Sequence, residues 1–567
     1  MQTRGIPACV AAITVFAVAG QAAALESFNT GVDINALVGA DALYELGYTG
    51  SRAVIANIEA GHGWADHETL GHIAQFIHDQ SLESFTQIGE VDYHATQVMH
   101  AIGGRLGTDP NEGVDLGIAY GAELWSGAVA VEFIDDPDRE FDSGFRTSRD
   151  SVAYAYRTAA IDGVNGRTAD VITSSWGFEN PNGVDFTSAS MDAIAFETGK
   201  TVVFSAGNSG PGPNTVGAPG SAYNTIAVGA LGGDEDPTPY NRVSVFSSRG
   251  PNDFFDPITG EIIEGARAAV DISGPGQNLF LAAYGGFTGG HRYGLFDPTN
   301  GDDDLYWTNS AGTSFSAPMV AGGAGLLIDV AYDRFAENER ARDGRVIKAV
   351  LLTGAEKTSG WDNGQAMDGA GVIRTSQSLD YNVGAGRMDL ADSFGVFTSG
   401  TTDVDTGVRG EGGSYEVARS GWDFGTVVDG VQERYTIAES LLRGETLTAT
   451  LAWFVDYSWE YDRDQGVDDL RFGRFSNLDL ELWRMDQAGE NGELIAMSES
   501  LYNATEHLHI VLPENGLYEL RVTFAGELYD FVGGDSEQFG LAWTVAVPAP
   551  ASMTLLAAGL FAARRRR

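Results

Sequence analysis

Between about residues 40 and 395, short runs of β-branched and apolar residues alternate with helical segments and glycine-rich turns. The runs of this kind are Ala53 to Ile58, Val171 to Ser174, Val202 to Ser205, Thr225 to Val228 and Ala268 to Ile272. Continuous apolar strands joined by helical crossovers are typical of a parallel sheet that helices cover on both faces. The pattern therefore predicts an α/β fold with a doubly wound parallel sheet, whose site lies beyond the carboxyl ends of the strands.

The pattern changes after a stretch rich in glycine and threonine, which predicts a linker over residues 395–414. Beyond this linker the hydrophobic period becomes two, most clearly from Leu447 to Trp453 and from Tyr518 to Phe524. Half-buried antiparallel strands show this alternation. We therefore expect an all-β sandwich domain over residues 415–547.

The composition is that of a folded protein with an acidic surface. With 567 residues, of which 43% are hydrophobic, the chain is long enough for two domains. Its 34 basic and 79 acidic residues give a net charge of −45. That charge argues against binding to nucleic acid or to an anionic membrane through a general electrostatic field. A solvated acidic surface explains it, so the charge identifies no partner.

The amino-terminal segment has the features of a targeting sequence. Residues 1–24 combine the basic Arg4, an apolar stretch from Ile6 to Gly20 and the small residues Ala22 to Ala24. This combination predicts a cleaved signal peptide and an exported protein. Cys9, the single cysteine, lies inside the segment, so we expect no disulfide in the mature protein.

The carboxy-terminal residues 548–567 contain about a dozen apolar or small residues followed by four arginines. The apolar run is shorter than the ~20 residues of a spanning helix, and the arginines favour retention on the cytoplasmic side during export. The segment resembles the PEP-CTERM-like sorting signals that exosortases process in Gram-negative bacteria, with Pro548-Ala549-Pro550 replacing Pro-Glu-Pro. This resemblance implies an exosortase-type partner, a cell-surface or outer-envelope location and membrane contact only through the tail. An ordinary tail anchor is the alternative.

The segment NSAGTSFSAPMVAGGAGLLIDVA contains the strongest chemical signal. It predicts a helix of small residues that begins near Ser314 and continues to about Val330, with Pro318 in its first turn. A serine at a helix start, after the permissive Gly312, exposes its hydroxyl and directs backbone N–H groups at developing negative charge. A plain helix N-cap is the commoner role of such a serine.

Two further segments weigh against the plain N-cap role. His94 begins a second helix of small residues in HATQVMHAIGG, and histidine is the usual base for a serine nucleophile. Asn208 follows a buried strand in VVFSAGNSG, a position that presents its side-chain amide to an oxyanion. These residues indicate a nucleophile, its base and an oxyanion donor.

Across residues 28–394 the chain resembles the subtilisin-like serine peptidases, the subtilases of peptidase family S8. The Gly-Thr-Ser-x-Ser-Ala-Pro block at residues 312–318 is highly specific to that family. His94 matches the base in the family's His-Gly-Thr-x-Val motif, with Ala95 replacing glycine, and Asn208 matches the oxyanion asparagine. The resemblance implies a subtilisin-like catalytic domain that hydrolyses peptide bonds through an acyl-enzyme and needs no cofactor for the chemistry.

The family places an aspartate after the first strand, in an Asp-(Ser/Thr)-Gly motif, where this chain has Glu59-Ala60-Gly61. A glutamate keeps the negative charge, and it can accept a hydrogen bond from the imidazole and stabilise the imidazolium. Our hypothesis is therefore a variant triad of Glu59, His94 and Ser314.

The resemblance also assigns Ser175, Trp176 and Gly177 to the strand edge that pairs with the substrate backbone. Trp176 would help to shape the primary specificity pocket. Packing in the core is an equally good explanation for a tryptophan at this position.

Two possible metal motifs have simpler explanations. In HETLGH, His67 and His72 are five residues apart, about 140° apart on a helix, so they would not share one zinc ion. The acidic segments 301–307 and 462–469 lack the twelve-residue calcium-loop pattern. We assign no metal site from these motifs. Structural calcium is an expectation that rests on the family resemblance alone.

The leading prediction is an exported serine endopeptidase that acts on protein or peptide substrates. The alternative is a catalytically silent subtilase scaffold for surface binding or adhesion, because Glu59 and the residues around His94 depart from the family pattern. A sedolisin-like acid peptidase would explain a glutamate, but such enzymes carry their glutamate and aspartate on one helix.

Overall fold

The computed structural model describes residues 32–82, 87–105, 116–135, 143–232, 239–288, 291–292, 305–401, 412–486 and 492–547. The predicted signal peptide (1–24) and sorting signal (548–567) lie outside these residues, as does part of the predicted linker. Predictions on those segments therefore stay predictions.

Helices accompany strands up to residue 398, and strands alone follow. The helices are α1 Ile34–Leu37, α2 Ala40–Tyr44, α3 Tyr93–Gly103, α4 Arg149–Arg157, α5 Phe186–Thr198, α6 Thr313–Arg334, α7 Gly344–Gly354 and α8 Leu390–Thr398. The strands up to residue 375 are β1 Val54–Glu59, β2 Ile73–Ile77, β3 Glu123–Ala128, β4 Ala130–Asp135, β5 Ser143–Thr147, β6 Val171–Ser174, β7 Thr201–Ser205, β8 Ile226–Gly232, β9 Arg242–Val243, β10 Asn252–Phe255, β11 Ile262–Arg267, β12 Ile272–Pro275, β13 Leu279–Ala282, β14 Phe287–Thr288, β15 His291–Arg292, β16 Tyr306–Ser310, β17 Ala366–Met367 and β18 Ile373–Thr375. The later strands are β19 Ser414–Val417, β20 Gly421–Val428, β21 Gln432–Ile437, β22 Thr446–Trp453, β23 Tyr457–Asp462, β24 Val467–Phe472, β25 Arg474–Met485, β26 Gly492–Ser498, β27 Thr505–Val511, β28 Leu517–Asp530 and β29 Ser536–Ala546.

The central sheet has the strand order β12-β8-β7-β6-β1-β3-β2, and all of these neighbours pair in parallel. Every residue of β1 is buried. Its alternate side chains enter two different cores, one with α4 and α5 and the other with α3 and α6. The sheet is therefore covered on both faces, as the continuous apolar runs predicted.

Helix α6 lies at the centre of the second core. By length and composition it could cross a membrane, but its whole apolar stretch is buried inside the protein. It is therefore a core helix, and its small residues let neighbouring elements approach closely. A side chain added at Gly325, for example, would collide with Ile55 of β1.

Apart from the separate hairpin of β23 and β24, the carboxy-terminal strands form two sheets around one core. Their strand orders are β17-β18-β26-β25-β28-β21-β19 and β20-β29-β22-β27. The expectation of a half-buried strand is wrong for β22, whose two faces are both buried and whose Ala452 lies in the second core. The alternate residues Leu447, Leu451 and Trp453 share the first core with Leu520 and Val522 of β28. The same core extends to α4 and α5, so this β region packs directly on the α/β region.

Two features differ from the predicted boundary between the domains at residue 394. Strand β18 pairs in parallel with β26, so residues 373–375 belong to a sheet of the β region. Helix α8 extends to Thr398, four residues into the predicted linker, because Val396 and Phe397 are buried against the α/β core. Strand pairing and helix packing thus continue across the predicted boundary.

Candidate active site

Ser314 is the second residue of α6 and is 4% exposed. The preceding Gly312 has φ 155° and ψ 153°, a conformation that is essentially restricted to glycine. The first four N–H groups of a helix have no acceptor within the helix. The N–H groups of Thr313 and Phe315 are bonded to Asn208 Oδ1 and Gly312 O. The start of α6 therefore offers the hydroxyl of Ser314 together with its N–H, which has no acceptor within the helix.

Pro318 lies in the second turn of α6, and the prediction that placed it in the first turn is wrong. The helix begins at Thr313, so Pro318 is its sixth residue and lacks the N–H that would bond to the carbonyl of Ser314. That carbonyl instead accepts a hydrogen bond from the hydroxyl of Ser175 at 2.9 Å. The proline thus frees a backbone oxygen that ties the helix start to the loop after β6.

Asn208 lies beside the start of α6. It follows Gly207, whose φ of 103° favours glycine. The Oδ1 of Asn208 accepts hydrogen bonds from the N–H and from the hydroxyl of Thr313, both at 2.9 Å. This pairing fixes the orientation of the side-chain amide. Its NH₂ group is therefore directed away from the N–H of Thr313.

Glu59 and His94 are in contact. Glu59 is the last residue of β1 and its side chain is 1% exposed, and His94 is the second residue of α3. The Nδ1 of His94 lies 3.2 Å from Oε2 of Glu59. The other oxygen, Oε1, accepts the backbone N–H of Ser175 at 2.6 Å. The glutamate therefore bridges the imidazole and the loop after β6.

Two sets of hydrogen bonds hold these elements together. At the far end of α6, Oδ2 of Asp329 accepts the N–H groups of Thr49, Gly50 and Ser51, in the turn that precedes β1. At the exit of β1, the N–H of His62 donates to Glu90 O and its carbonyl accepts from Asp92 N, both at 2.8 Å. The first set positions the serine helix against the Glu59 strand, and the second joins the loop after Glu59 to the cap of α3.

The pKa of His94 is raised above its ordinary value. Burial on its own lowers it, but the hydrogen bond to Glu59 and the negative charges of Glu59 and Asp92 outweigh that effect. The Nε2 atom of His94 is buried and has no hydrogen-bond partner within the described residues. Its Nδ1 side is thus held, while Nε2 is available for a proton.

The hydroxyl of Ser314 donates weakly to the carbonyl of Ser175, at 3.4 Å. In the described part of the chain, no hydrogen bond joins this hydroxyl to His94. A serine hydroxyl reorients by rotation of one side-chain torsion, and catalytic hydrogen bonds are often long or absent before substrate binds. The arrangement is therefore compatible with a serine nucleophile that is not yet engaged by its base.

The three residues predicted to bind substrate have different environments. Trp176 is 3% exposed, packs against Phe145 and Tyr156, and donates its indole N–H to Ile58 O at 3.0 Å. Its ring lies in the core, which favours the packing role over a pocket-shaping role. The N–H of Ser175 is bonded to Glu59, and Gly177 is partly exposed.

Two features of the site were not predicted from the sequence. Asp92 caps α3, with Oδ2 accepting from Ala95 N at 3.2 Å, and it is 2% exposed. An aspartate two residues before His94 at the start of a helical pattern is an N-cap signal that the sequence does contain. The role of Ser175 as a partner of Glu59 has no such signal, because it depends on a contact between distant segments.

The histidines of HETLGH have other partners. Nδ1 of His67 lies 2.8 Å from the hydroxyl of Thr69, and Nε2 donates to Leu305 O at 2.8 Å. Both ring nitrogens are therefore engaged. Within the described ranges, no three His, Cys, Asp or Glu side chains are grouped so that they could hold a metal ion. The expectation about calcium is untested, and residues 301–304 lie outside the described part.

Comparison with known proteins identifies relatives of the α/β region. The family profile described as "Subtilase family" matches residues 69–386, which is more than half of the chain. That range contains His94, Asn208 and Ser314, and it begins after Glu59.

Three curated relatives are similar over parts of the chain. Pyrolysin from Pyrococcus furiosus is 31% identical over 183 residues, 28% of this chain and 11% of pyrolysin. Serine protease AprX from Bacillus subtilis is 28% identical over 197 residues, 33% of this chain and 36% of AprX. Subtilisin DY from Bacillus licheniformis is 28% identical over 296 residues, 52% of this chain and 82% of the relative. The chain thus spans well under two thirds of the length of pyrolysin and AprX. On the match over residues 69–386, the chain belongs to the subtilase family.

Proposed function

We propose that the protein is a serine endopeptidase that hydrolyses protein or peptide substrates with Ser314, His94 and Glu59. One observation carries this proposal: a buried imidazole is bonded at Nδ1 to a carboxylate, and its Nε2 has no partner within the described residues. An imidazole held in this way is prepared to take a proton from a nearby hydroxyl. The family membership supports the same chemistry.

In the proposed reaction, His94 Nε2 takes the proton of the Ser314 hydroxyl as its oxygen attacks the substrate carbonyl. Glu59 accepts the Nδ1–H of the resulting imidazolium and stabilises its charge. The NH₂ group of Asn208 and the N–H of Ser314 donate to the oxyanion. His94 then returns the proton to the leaving amine. Water, activated by the same histidine, releases the acyl group and restores the serine.

A glutamate suits this site because it bridges two partners. Its carboxylate receives both the imidazole Nδ1 and the backbone N–H of Ser175. The second hydrogen bond prevents rotation of the carboxylate, which is otherwise freer in glutamate than in aspartate. The longer side chain thus keeps a defined orientation toward His94.

The decisive experiment is labelling of the purified protein with a fluorophosphonate probe, which reacts with activated serines. We expect labelling of the native chain and none of Ser314→Ala. Ser316→Ala is the matched control, because Ser316 lies on the same helix and bonds only to Pro275 O in the described structure. It should label like the native chain.

The alternative function, a catalytically silent scaffold for surface binding, is favoured by the bond from Ser314 to Ser175 in place of His94. Absence of labelling in folded native protein, together with absence of peptide hydrolysis near neutral pH, would favour the scaffold and overturn the peptidase proposal.

We further propose that the protein is exported and processed at both ends. The supporting features are the signal-like residues 1–24 and the tail 548–567, which is similar to exosortase-processed sorting signals of Gram-negative bacteria. Intact-mass analysis of the protein from the host envelope tests this proposal. Loss of both terminal segments is the expected result, and a mass that includes either segment would contradict it.

A further inference from the structure

Asp92 is a buried carboxylate that the proposed triad does not use. It is 2% exposed, and its Oδ2 accepts the backbone N–H of Ala95 at 3.2 Å. Its other oxygen, Oδ1, is buried without a hydrogen-bond partner among the described residues. A buried carboxylate oxygen without a partner is destabilising unless a positive charge lies nearby.

The position of Asp92 is tightly constrained. Its N–H donates to His62 O at 2.8 Å, and its carbonyl accepts the hydroxyl of Thr96 at 2.8 Å. A methyl group added at Gly61 would lie 2.8 Å from Cβ of Asp92, so the loop after Glu59 packs directly on this side chain. The carboxylate therefore has little freedom to turn toward solvent.

The charges of two carboxylates thus act on one imidazole. Glu59 reaches His94 from the end of β1, and Asp92 lies at the start of the helix that carries His94. The strongest charge interaction of Asp92 is with His94, and Asp92 also interacts with Glu59. Burial raises the pKa of Asp92 to about 6, although the positive charge of His94 counteracts this effect.

Among the described residues, the other titratable groups at this place add negative charge or none. Tyr156 of α4 lies near Glu59 and bonds to the hydroxyl of Ser174. Tyr284, which follows β13, interacts with Glu90 and Asp92. From α6, His94 meets the uncharged ring of Phe315.

We propose that Asp92 is a positioning residue for His94, which it holds at the start of α3 and whose imidazolium form it stabilises by its negative charge. This inference rests on the proposed function, in which His94 becomes an imidazolium as Ser314 attacks. A second carboxylate lowers the free energy of that state. It also raises the pH that is needed to deprotonate His94. The acid limb of the pH–activity profile therefore moves to higher pH.

The test separates the charge of Asp92 from its capping role. Asparagine caps a helix about as well as aspartate, so Asp92→Asn removes the charge and keeps the cap. The imidazole of His94 is titrated by NMR in a Ser314→Ala background, with His94→Asn to assign its signal. We expect the pKa of His94 to fall by about one unit in Asp92→Asn. With Ser314 intact, the acid limb of kcat/KM should move down by the same amount.

Asp185→Asn is the matched control. Asp185 is the N-cap of α5, where it accepts the N–H groups of Thr187 and Ser188, and it is not among the groups that shift the pKa of His94. This variant should leave the His94 titration unchanged. If Asp92→Asn does not fold, Asp92→Ser provides a second neutral cap of smaller size.

An unchanged His94 titration in folded Asp92→Asn would overturn the inference. So would an equal change in Asp185→Asn. The NMR titration does not depend on turnover. Absence of peptidase activity would refute the proposed function, and the titration would still decide the role of Asp92.

Discussion

The Nδ1 of His94 lies 3.2 Å from Oε2 of Glu59, and both side chains are almost fully buried. The two residues come from different elements, the end of β1 and the start of α3. The carboxyl end of a parallel strand is where open α/β sheets place their sites. The contact between Glu59 and His94 therefore lies at the end of the sheet where a reaction site is expected.

The first prediction concerns the length of the triad acid. Glu59→Gln should lower kcat/KM by about 10⁴, because an amide does not hold the imidazole in the correct tautomer. Glu59→Asp restores the residue that the family resemblance implies, yet we expect a loss of about 10², since the shorter side chain cannot reach both Ser175 N and His94 Nδ1. Steady-state kinetics on a peptide substrate measure both effects.

Glu123→Gln is a control for these variants, because Glu123 lies at the amino end of the neighbouring strand β3 and pairs with Arg167. It should leave kcat/KM unchanged. Full activity of Glu59→Gln would remove Glu59 from the reaction.

The second prediction separates two roles of Asn208. Asn208→Ala removes the proposed oxyanion donor and also the acceptor for Thr313, so both kcat and the melting temperature should fall. Asn208→Asp keeps an acceptor for Thr313 but lacks the NH₂ donor. Loss of one such donor typically costs about 10²–10³ in kcat. We expect that loss in both variants with little change in KM, and a lower melting temperature only in the alanine variant. Unreduced kcat in the aspartate variant would exclude Asn208 as a donor.

The sequence predicted the two regular parts of the fold because each has a clear hydrophobic period. Strands covered on both faces appear as continuous apolar runs such as Ala53 to Ile58, whereas Leu447 to Trp453 alternates in sequence although both faces of β22 are buried. The subtilase resemblance is confirmed by the family match. The short strand β18 has neither period and lies among polar residues, so its pairing with β26 had no signal in the sequence.

Site residues with a local signal were easier to find than those that depend on distant contacts. Gly312 to Pro318 and the surroundings of His94 form recognisable local motifs, and the structure brings Glu59 to His94. The use of Ser175 N by Glu59 and the burial of Trp176 both depend on how β1 and β6 are placed side by side. A linear pattern contains no information on which backbone donor meets which carboxylate.

The third prediction tests Trp176 as a core residue. Trp176→Ala should lower the free energy of unfolding by about 3–5 kcal/mol, as is typical for truncation of a large buried aromatic side chain. Trp176→Phe keeps most of the packing and loses the hydrogen bond to Ile58 O, at a cost of about 1 kcal/mol beyond the change in volume. Chemical unfolding measures both. The cleavage preference of Trp176→Phe on a set of peptides should equal that of the native chain, and an altered preference would return Trp176 to the substrate pocket.

The β23–β24 hairpin connects the β region to the carboxyl end of the central sheet. Arg463, between the two strands, forms an ion pair with Asp79, which lies just after β2 and is 2% exposed. On the same hairpin, Tyr461 donates to Asp150 and Asp468 accepts from Arg149, at the start of α4. The hairpin therefore fastens to the segment between β2 and His94 and to α4.

The fourth prediction follows from the pair of Arg463 and Asp79. Burial on its own raises the pKa of Asp79, but the hydrogen bonds from Arg463 and Ser81 outweigh it and hold the pKa below its ordinary value of 3.8. A carboxyl whose folded pKa is lowered contributes stability above its unfolded pKa and loses it as the pH falls through the folded value. At pH 7 Arg463→Ala should therefore lower the free energy of unfolding by about 1–3 kcal/mol, because Asp79 stays buried without its cation. This difference from the native chain should shrink below pH 4, where Asp79 becomes protonated.

Arg471→Ala on the same hairpin is the control. Arg471 is 66% exposed and pairs only with the half-exposed Asp469 among the described contacts. The effect of this variant on the free energy of unfolding should therefore be within about 1 kcal/mol. Equal effects of the two variants across the pH range, measured by denaturant unfolding, would show that the hairpin is not fastened through Asp79.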